Sequence, residues 1–343
     1  MINDFRLDLL KNRVKIGEGR AESCSIRFNY DSAVMKGIQM DLRRFDISNN
    51  DIEFDMFRDR IRPVLVRDGV ETPLGVYMIM AAPKTIGETS DFISVEGYDE
   101  TMIVKQAAFE DRTFYASGSS YITIIQQILT ALGLTDIHAE DSEAVLPNDL
   151  EVAAGDNCLE FINNLLDAIN YQHLYADADG VIQIRPINDP TVPDFIYRNR
   201  EAFNIKPPIR LEQDIYNLPN VLIGIYSSPD FDEPIVYKKV NNDPQSLIST
   251  VSRGYKVVQK YELYNVASDT ELEDYIDRLS FEAMQATERI TFSSIAEGGH
   301  EPNAAIQMDT DLVRGLFIEK EWDITIEQNS FTMNHTAERK VFV

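Results

Sequence analysis

The sequence predicts a mainly β fold with an α+β insert, and three patterns carry that expectation. Short alternating and apolar runs, bounded by turn residues, fill both ends of the chain. Two stretches near the middle switch to helical spacing. The 343 residues exceed one ordinary domain and, at about 100–200 residues each, call for two or three. The expected division is a first β domain over 1–110, an α+β domain over 111–205 and a second β domain over 206–343.

In the first region, strands are expected over Ser23–Tyr30 and Val34–Arg44. Arg62–Arg67 and Gly75–Ala82 flank Asp68-Gly69, a pair that suits a tight hairpin because both residues tolerate positive φ. Asp91–Tyr98 sets Ile93, Val95 and Gly97 on one face. This reads as a small antiparallel domain, a barrel or a sandwich. The middle differs. Tyr121, Ile122, Ile125, Ile128, Leu129 and Leu132 recur at helical spacing, with Ser119 or Ser120 to cap the start and Gly133 to end it. A second helix is expected over Cys158–Tyr171, with Leu159, Ile162, Leu165, Leu166 and Ile169 as its stripe. Asn157 and Glu160 stand at capping-box spacing. A hairpin follows: Gln172–Ala176, the turn Asp177-Ala178-Asp179-Gly180, then Val181–Arg185.

The last region returns to strands at Asn220–Tyr226, Pro234–Val240, Arg253–Leu263, Glu288–Ile295, Ala304–Met308, Leu316–Ile326 and Phe331–Val343. One helix, 270–286, interrupts them, with Leu272, Tyr275, Ile276, Leu279, Ala283 and Ala286 on its apolar face and Ser268 and Glu271 as its capping pair. No short tandem repeat is present. The two β-rich regions leave room for a duplicated barrel.

Hydrophobic residues make up 44% of the chain, enough for a sizeable core and against disorder as the main state. No run approaches 18 apolar residues, so no transmembrane helix is expected. The start has no apolar segment behind a basic one, which argues against a secretory signal peptide. Cys24 and Cys158 are too few for a disulfide scaffold or a four-cysteine zinc site and are expected to be small buried residues. The 57 acidic and 32 basic residues give a net charge of −25. The three segments 1–110, 111–200 and 201–343 carry −4, −10 and −11. Such a chain repels nucleic acid and anionic membranes.

No motif points to catalysis. Paired acids are everywhere among 57 carboxylates, and no spacing singles out the two that a glycosidase needs. His138, His173, His300 and His335 are scattered, without metal-ligand spacing, and are expected in loops or at the surface. Gly298-Gly299 suits a turn better than a phosphate cradle. No nucleophile elbow, Walker loop or dinucleotide fingerprint occurs. Asp177-Ala178-Asp179-Gly180 starts like a calcium loop, but Val181 and Asn188 stand where the fifth and twelfth ligands belong, so it reads as a hairpin turn. Asp230–Glu233, between prolines, reads as a solvated loop. Trp322 reads as a core or interface anchor rather than a sugar platform. The expected catalytic, cofactor and metal sets are therefore empty.

Three fragments resemble a known family. They are GVETPLGVYMIMAAP with DFISVEGYDET, through Pro73, Leu74, Gly75, Tyr77, Tyr98 and Asp99; DNCLEFINNLLDAINYQHLYADADGVIQIRP, through Asn170, Tyr171, Leu174, Asp177, Gly180 and Pro186; and LPNVLIGIYSSPD, through Leu218, Pro219, Asn220 and Val221. Their order and spacing, over about residues 20–343, resemble the baseplate hub proteins of phage tails and tailocins and the start of siphophage tail-tip proteins.

The resemblance implies two related β-barrel domains per chain, flanking a helix-hairpin α+β domain. It implies a homotrimeric ring that adapts a hexameric tail tube to a trimeric central spike, touching the tape measure and other baseplate proteins. It implies a particle component made in the bacterial cytoplasm, with no enzymatic activity, no direct nucleic-acid binding and no stable membrane insertion. The acidity would suit a channel wall that DNA passes without sticking. Two other functions compete. One is a tail-tip platform for cell-wall hydrolysis. The other is a host-surface carbohydrate-binding module, which 17 Phe and 15 Tyr but a single Trp support poorly.

Overall fold

The architecture was analysed in a computed structural model. It describes every residue except 1–2, 44–54, 56, 82–83, 87–90, 188–189, 200–203, 214, 227–233, 264–268, 284, 328–329 and 343. The chain is mainly β and divides into two compact units. Unit 1 comprises Met1–Pro208 with Phe292–Thr336, and unit 2 comprises Ile209–Thr291 with Ala337–Val343.

Unit 1 opens with a hairpin, β1 (Asn3–Lys11) and β2 (Val14–Gly19), whose turn residues Asn12 and Arg13 have positive φ. Then come β3 (Ala21–Asn29), β4 (Lys36–Arg43), β5 (Arg60–Arg67), β6 (Val70–Pro73), β7 (Tyr77–Ala81), β8 (Lys84–Ile86) and β9 (Asp91–Tyr98). Asp68-Gly69 does make the expected tight turn, with φ of 49° and 85°. The strand it returns is the short β6, which pairs Arg67 with Val70; β7 is a separate strand beyond it.

The middle of the chain is α+β and packs around a second apolar cluster, which Val34 of the first region also joins. Its elements are α1 (Thr101–Gln106), β10 (Thr113–Tyr115), α2 (Tyr121–Ala131), β11 (Ile137–Ala139), β12 (Leu150–Val152), α3 (Cys158–Ala168), β13 (Tyr175–Ala176) and β14 (Ile182–Ile184). Ser120 caps α2 by accepting from the Thr123 amide, and Asn157 caps α3 through the Leu159 and Glu160 amides. α3 stops three residues before the expected Tyr171. Asn170 there adopts φ 57°, a left-handed conformation that asparagine tolerates and that cannot continue a helix.

β15 (Phe195–Arg198) and β16 (Ile205–Gln213) lead toward unit 2. That unit is built on β17 (Val221–Tyr226), β18 (Ile235–Val240) and β19 (Val258–Leu263), with a short α4 (Thr250–Arg253) and a long α5 (Asp269–Ala283). β17 runs antiparallel to β18 and parallel to β19. One face of this sheet takes α5 through Leu272 and Ile276. Gly224 is required there, because a Cβ would stand 2.6 Å from Ile276 Cγ1. Asn220 is fully buried; its amide donates to the Ile248 and Tyr255 carbonyls while its oxygen accepts from the Val257 amide. Two corrections belong here. Arg253 ends α4, stopped by Gly254 at φ 72°, rather than opening a strand. Ala286 lies in β20 (Gln285–Ile295), not in the helix. Ser268 and Asp230–Glu233 lie outside the described residues.

The chain closes with β21 (Ala305–Asp309), β22 (Arg314–Glu327) and β23 (Ser330–Phe342). β22 pairs directly with β3, placing Trp322 opposite Phe28 and Ile324 opposite Ile26. From there the path runs β3, β4, β9, β7, β5, β1, β2. Among the described residues no strand path closes into a barrel. Among the described residues the path stays open at β2, and Trp322, Ile324 and Ile326 share one core with Ile26, Ile38 and Ile61. The β3–β22 ladder fuses the two β-rich ends of the sequence, so neither needs to close on itself to hide its edge. Among the described residues, no helix is long and apolar enough to cross a membrane.

Candidate functional site

Among the described residues, a dense group of chemically capable side chains lies inside unit 1. Glu319 on β22, His335 on β23 and His300 in the loop after β20 meet with 0–3% of their surface exposed. His300 Nδ1 lies 2.6 Å from one carboxylate oxygen of Glu319, and His335 Nδ1 lies 2.6 Å from the other. The far ring nitrogens find hydroxyls: His335 Nε2 is 2.8 Å from Ser294 Oγ, and His300 Nε2 is 3.4 Å from the Tyr197 hydroxyl. Phe195 stacks on His300 with centroids 3.6 Å apart, and Phe292 stacks on His335 at 4.5 Å. Both rings are thus held in plane and in depth.

Burial sets the protonation. It drives His300 down to about 3, against the pull of Glu297 and Asp194. It lowers His335 and raises Glu319, in each case opposed by the bond between the two. Neutral imidazoles that donate from Nδ1 and accept at Nε2 satisfy every polar atom of the group.

Two reactive readings of this group fail on geometry. Ser294, His335 and Glu319 stand in the order nucleophile, base and orienting acid. Yet Ser294 has no exposed surface, so no substrate can reach its hydroxyl. The donor atoms of His300, Glu319 and His335 lie within 4.8 Å of one another, close enough to consider a metal. Two ligands about 2.0–2.1 Å from one ion sit roughly 3 Å or more apart, and the 2.6 Å contacts are shorter than that. The group is a hydrogen-bonded lock between strands.

Two further charged groups brace unit 1. Asp8 has no exposed side-chain surface and takes Arg6, Lys15 and Arg62 at 2.8–2.9 Å. Lys36, also buried, donates to the Ala176 carbonyl at 2.9 Å and faces Glu301 at 3.9 Å, tying β4 to the insert. Asp99 holds the start of α1 through the Thr101 amide; burial pushes its carboxyl up.

The outward faces of β3, β4, β9 and β22 form a shallow groove of about 460 Å³. Asp41, Glu96 and Glu327 line it among serines and a threonine.

The residues weighed from sequence divide clearly. His138 and His173 are at the surface, as expected, beside Gln183 and Asp167. His300 and His335 are not; the expectation of loop or surface histidines is corrected for both. Cys24 and Cys158 are buried free thiols, and burial raises the Cys24 thiol far out of reach of deprotonation. Asp177 organises its turn by accepting from the Asp179 and Val181 amides and from Gln183. Trp322 is 5% exposed and stacks on Phe28. The buried group did leave a trace in the sequence. His335 falls on the inward parity of β23 between Met333 and Ala337, and Glu319 follows Phe317 by two on β22.

No family model matches the chain, and no curated protein does. Solved structures do. A tail protein from Neisseria meningitidis MC58 overlays 98% of this chain and 96% of its own, with TM-score 0.66 at 13% identity. The 43 kDa tail protein of prophage MuSo2 from Shewanella oneidensis overlays 98% of both chains, with TM-score 0.66 at 9% identity. A chain of the Francisella PdpA–VgrG complex matches with TM-score 0.62 at 8% identity; the overlay takes in 98% of this chain but 52% of that one. From end to end, the fold of this chain is similar to that of phage tail proteins.

Proposed function

We propose that this chain is a structural hub of a phage-type tail baseplate. The observation that carries the reading is the overlay of 98% of the chain on two tail proteins that are themselves covered almost completely. The sealed state of the Glu319 group supports a role without catalysis. In this reading three copies form a ring between a six-fold tube and a three-fold spike, inside a tail particle. Each copy offers its two β-rich regions, 1–110 and 206–343, as related docking surfaces, giving six per ring, while 111–205 stands outside. The Francisella neighbour comes from a complex with a second protein, which supports hub contacts with spike and baseplate partners.

The acidity has a place in the same reading. The groove carrying Asp41, Glu96 and Glu327 would face the channel, where like charge keeps DNA from sticking.

The solution mass tests the assembly. One chain is 39.1 kDa, so a closed three-fold ring is about 117 kDa. Light scattering on the chain alone and with its tube and spike proteins should give that mass in at least one state. A strict monomer in every mixture overturns the hub.

A further inference from the structure

We propose that the open face of the β17–β18–β19 sheet docks the Phe114 edge of a second copy of this chain. The proposal rests on the hub reading, in which copies of the chain meet in a ring. α5 covers one face of the sheet. On the other, strand register sets out three rows. Val221, itself buried, lies between Val240 and Val258, Ile223 between Lys238 and Lys260, and Ile225 between Val236 and Glu262. Val236 and Val258 are more than half exposed. This is an aliphatic platform crossed by Lys238 and by Lys260, which also pairs with Glu262 at 2.6 Å, in a chain of net charge −25.

Its complement lies in the insert. Phe114, at the centre of β10, is 62% exposed. It stands opposite Glu151 of β12, which pairs with Arg112, and the exposed acids Glu110 and Asp111 lie just before the strand. The segment 111–200 holds 14 acidic residues against 4 basic ones. An aromatic anchor rimmed by carboxylates fits an aliphatic platform flanked by lysines, with the apolar centre supplying affinity and the charges supplying register. Two different patches in contact make a head-to-tail interface, the kind that closes into a three-fold ring. Stacking two copies of the platform on each other would instead set lysines in the same layer and stop at a dimer.

Cysteine trapping tests this directly, since the native Cys24 and Cys158 are buried. Phe114→Cys protein mixed with Val236→Cys protein should give a disulfide-linked pair under mild oxidation, and neither variant alone should. In the wild-type background, Lys238→Glu with Lys260→Glu should weaken assembly at least tenfold. Adding Glu110→Lys and Asp111→Lys should restore it. A trimeric wild type whose cysteine variants never cross-link, and whose lysine variants assemble normally, overturns this interface and leaves the hub standing. A wild type that stays monomeric when the mixed cysteines also fail to link overturns the interface, and the mass measured with tube and spike then decides the hub separately.

Discussion

Asp8 and Glu319 are both carboxylates without exposed side-chain surface, on the same sheet, yet their surroundings push them in opposite directions. Asp8 accepts from Arg6, Lys15 and Arg62, and these bonds outweigh the burial that opposes them, so its pKa falls. Glu319 meets only two imidazoles, which burial keeps from charging, so its pKa rises. What differs is the partners' access to water. The three cations at Asp8 keep 22–35% of their side-chain surface exposed, whereas the histidines keep 0–1%. A permanent cation can be brought to a buried acid from the rim of a sheet; in the interior the polar partner has to be a neutral one.

The comparison breaks most visibly at Glu319. Glu319→Ala strands two ring N–H donors in the core and should cost about 3–5 kcal/mol, the range for breaking a buried polar pair from one side. The urea midpoint measures it. Glu319→Gln should cost clearly less, because the amide accepts from one ring and donates to the other after a change of tautomer. Equal losses for the two variants would mean that volume, not hydrogen bonding, holds the strands.

Acid sharpens it next. His300 stays neutral in the fold down to about 3 but charges near 6.5 when unfolded. Between those values the unfolded chain binds the extra proton, so stability falls with falling pH by up to about 1.4 kcal/mol per unit. Glu319 works the other way: its raised pKa favours the fold as pH drops toward 4.5. His300→Asn keeps a donor for Glu319 and removes the titration, so its urea midpoint should vary less than the wild type's between pH 6.5 and 4.5. Asp8 enters only lower down. Its depressed pKa gives stability that is present above 3.8 and is lost as pH falls below it.

How much of this was legible in the sequence differs by region. The insert was readable because its signals are local: Ser120 and Asn157 cap the helices whose stripes face the second apolar cluster. The Asp177–Gly180 turn was readable for the same reason. The first hairpin escaped because Asn12 and Arg13 turn without glycine. The open sheet escaped because β3 and β22 pair across almost 300 residues, and no local pattern announces that. The Glu319 group came from four separate elements, and a histidine on a strand looks the same whether it faces water or a glutamate.

Asp8→Asn should rank below Glu319→Ala. The amide still accepts from Arg62 or Lys15, and the partly exposed cations can turn to water. A loss of about 1.5–3 kcal/mol is expected at pH 7, the worth of hydrogen bonds to charged groups. The variant should show no further drop attributable to this site below pH 3.8. If Asp8→Asn costs more than Glu319→Ala, the exposed rim of the cations gives no relief, and the account of why the two sites differ falls.

The smallest effect belongs to Glu71, which shares Arg6 with Asp8. It accepts both guanidinium nitrogens at 2.7 Å, a better-formed pair than any single bond at Asp8, and its carboxyl is held below the usual range. Its side chain is 54% exposed. Exposed ion pairs lose most of their attraction to solvent and to salt, which screens beyond about 8 Å at physiological strength. Glu71→Gln should therefore leave the urea midpoint within error at physiological salt. One arginine then serves Asp8, Glu71 and Glu18, and only the buried acid matters to the fold. Equal losses for Glu71→Gln and Asp8→Asn would show the reverse: that the two-pronged geometry of the arginine, rather than the dryness of its acid, holds the edge of the sheet.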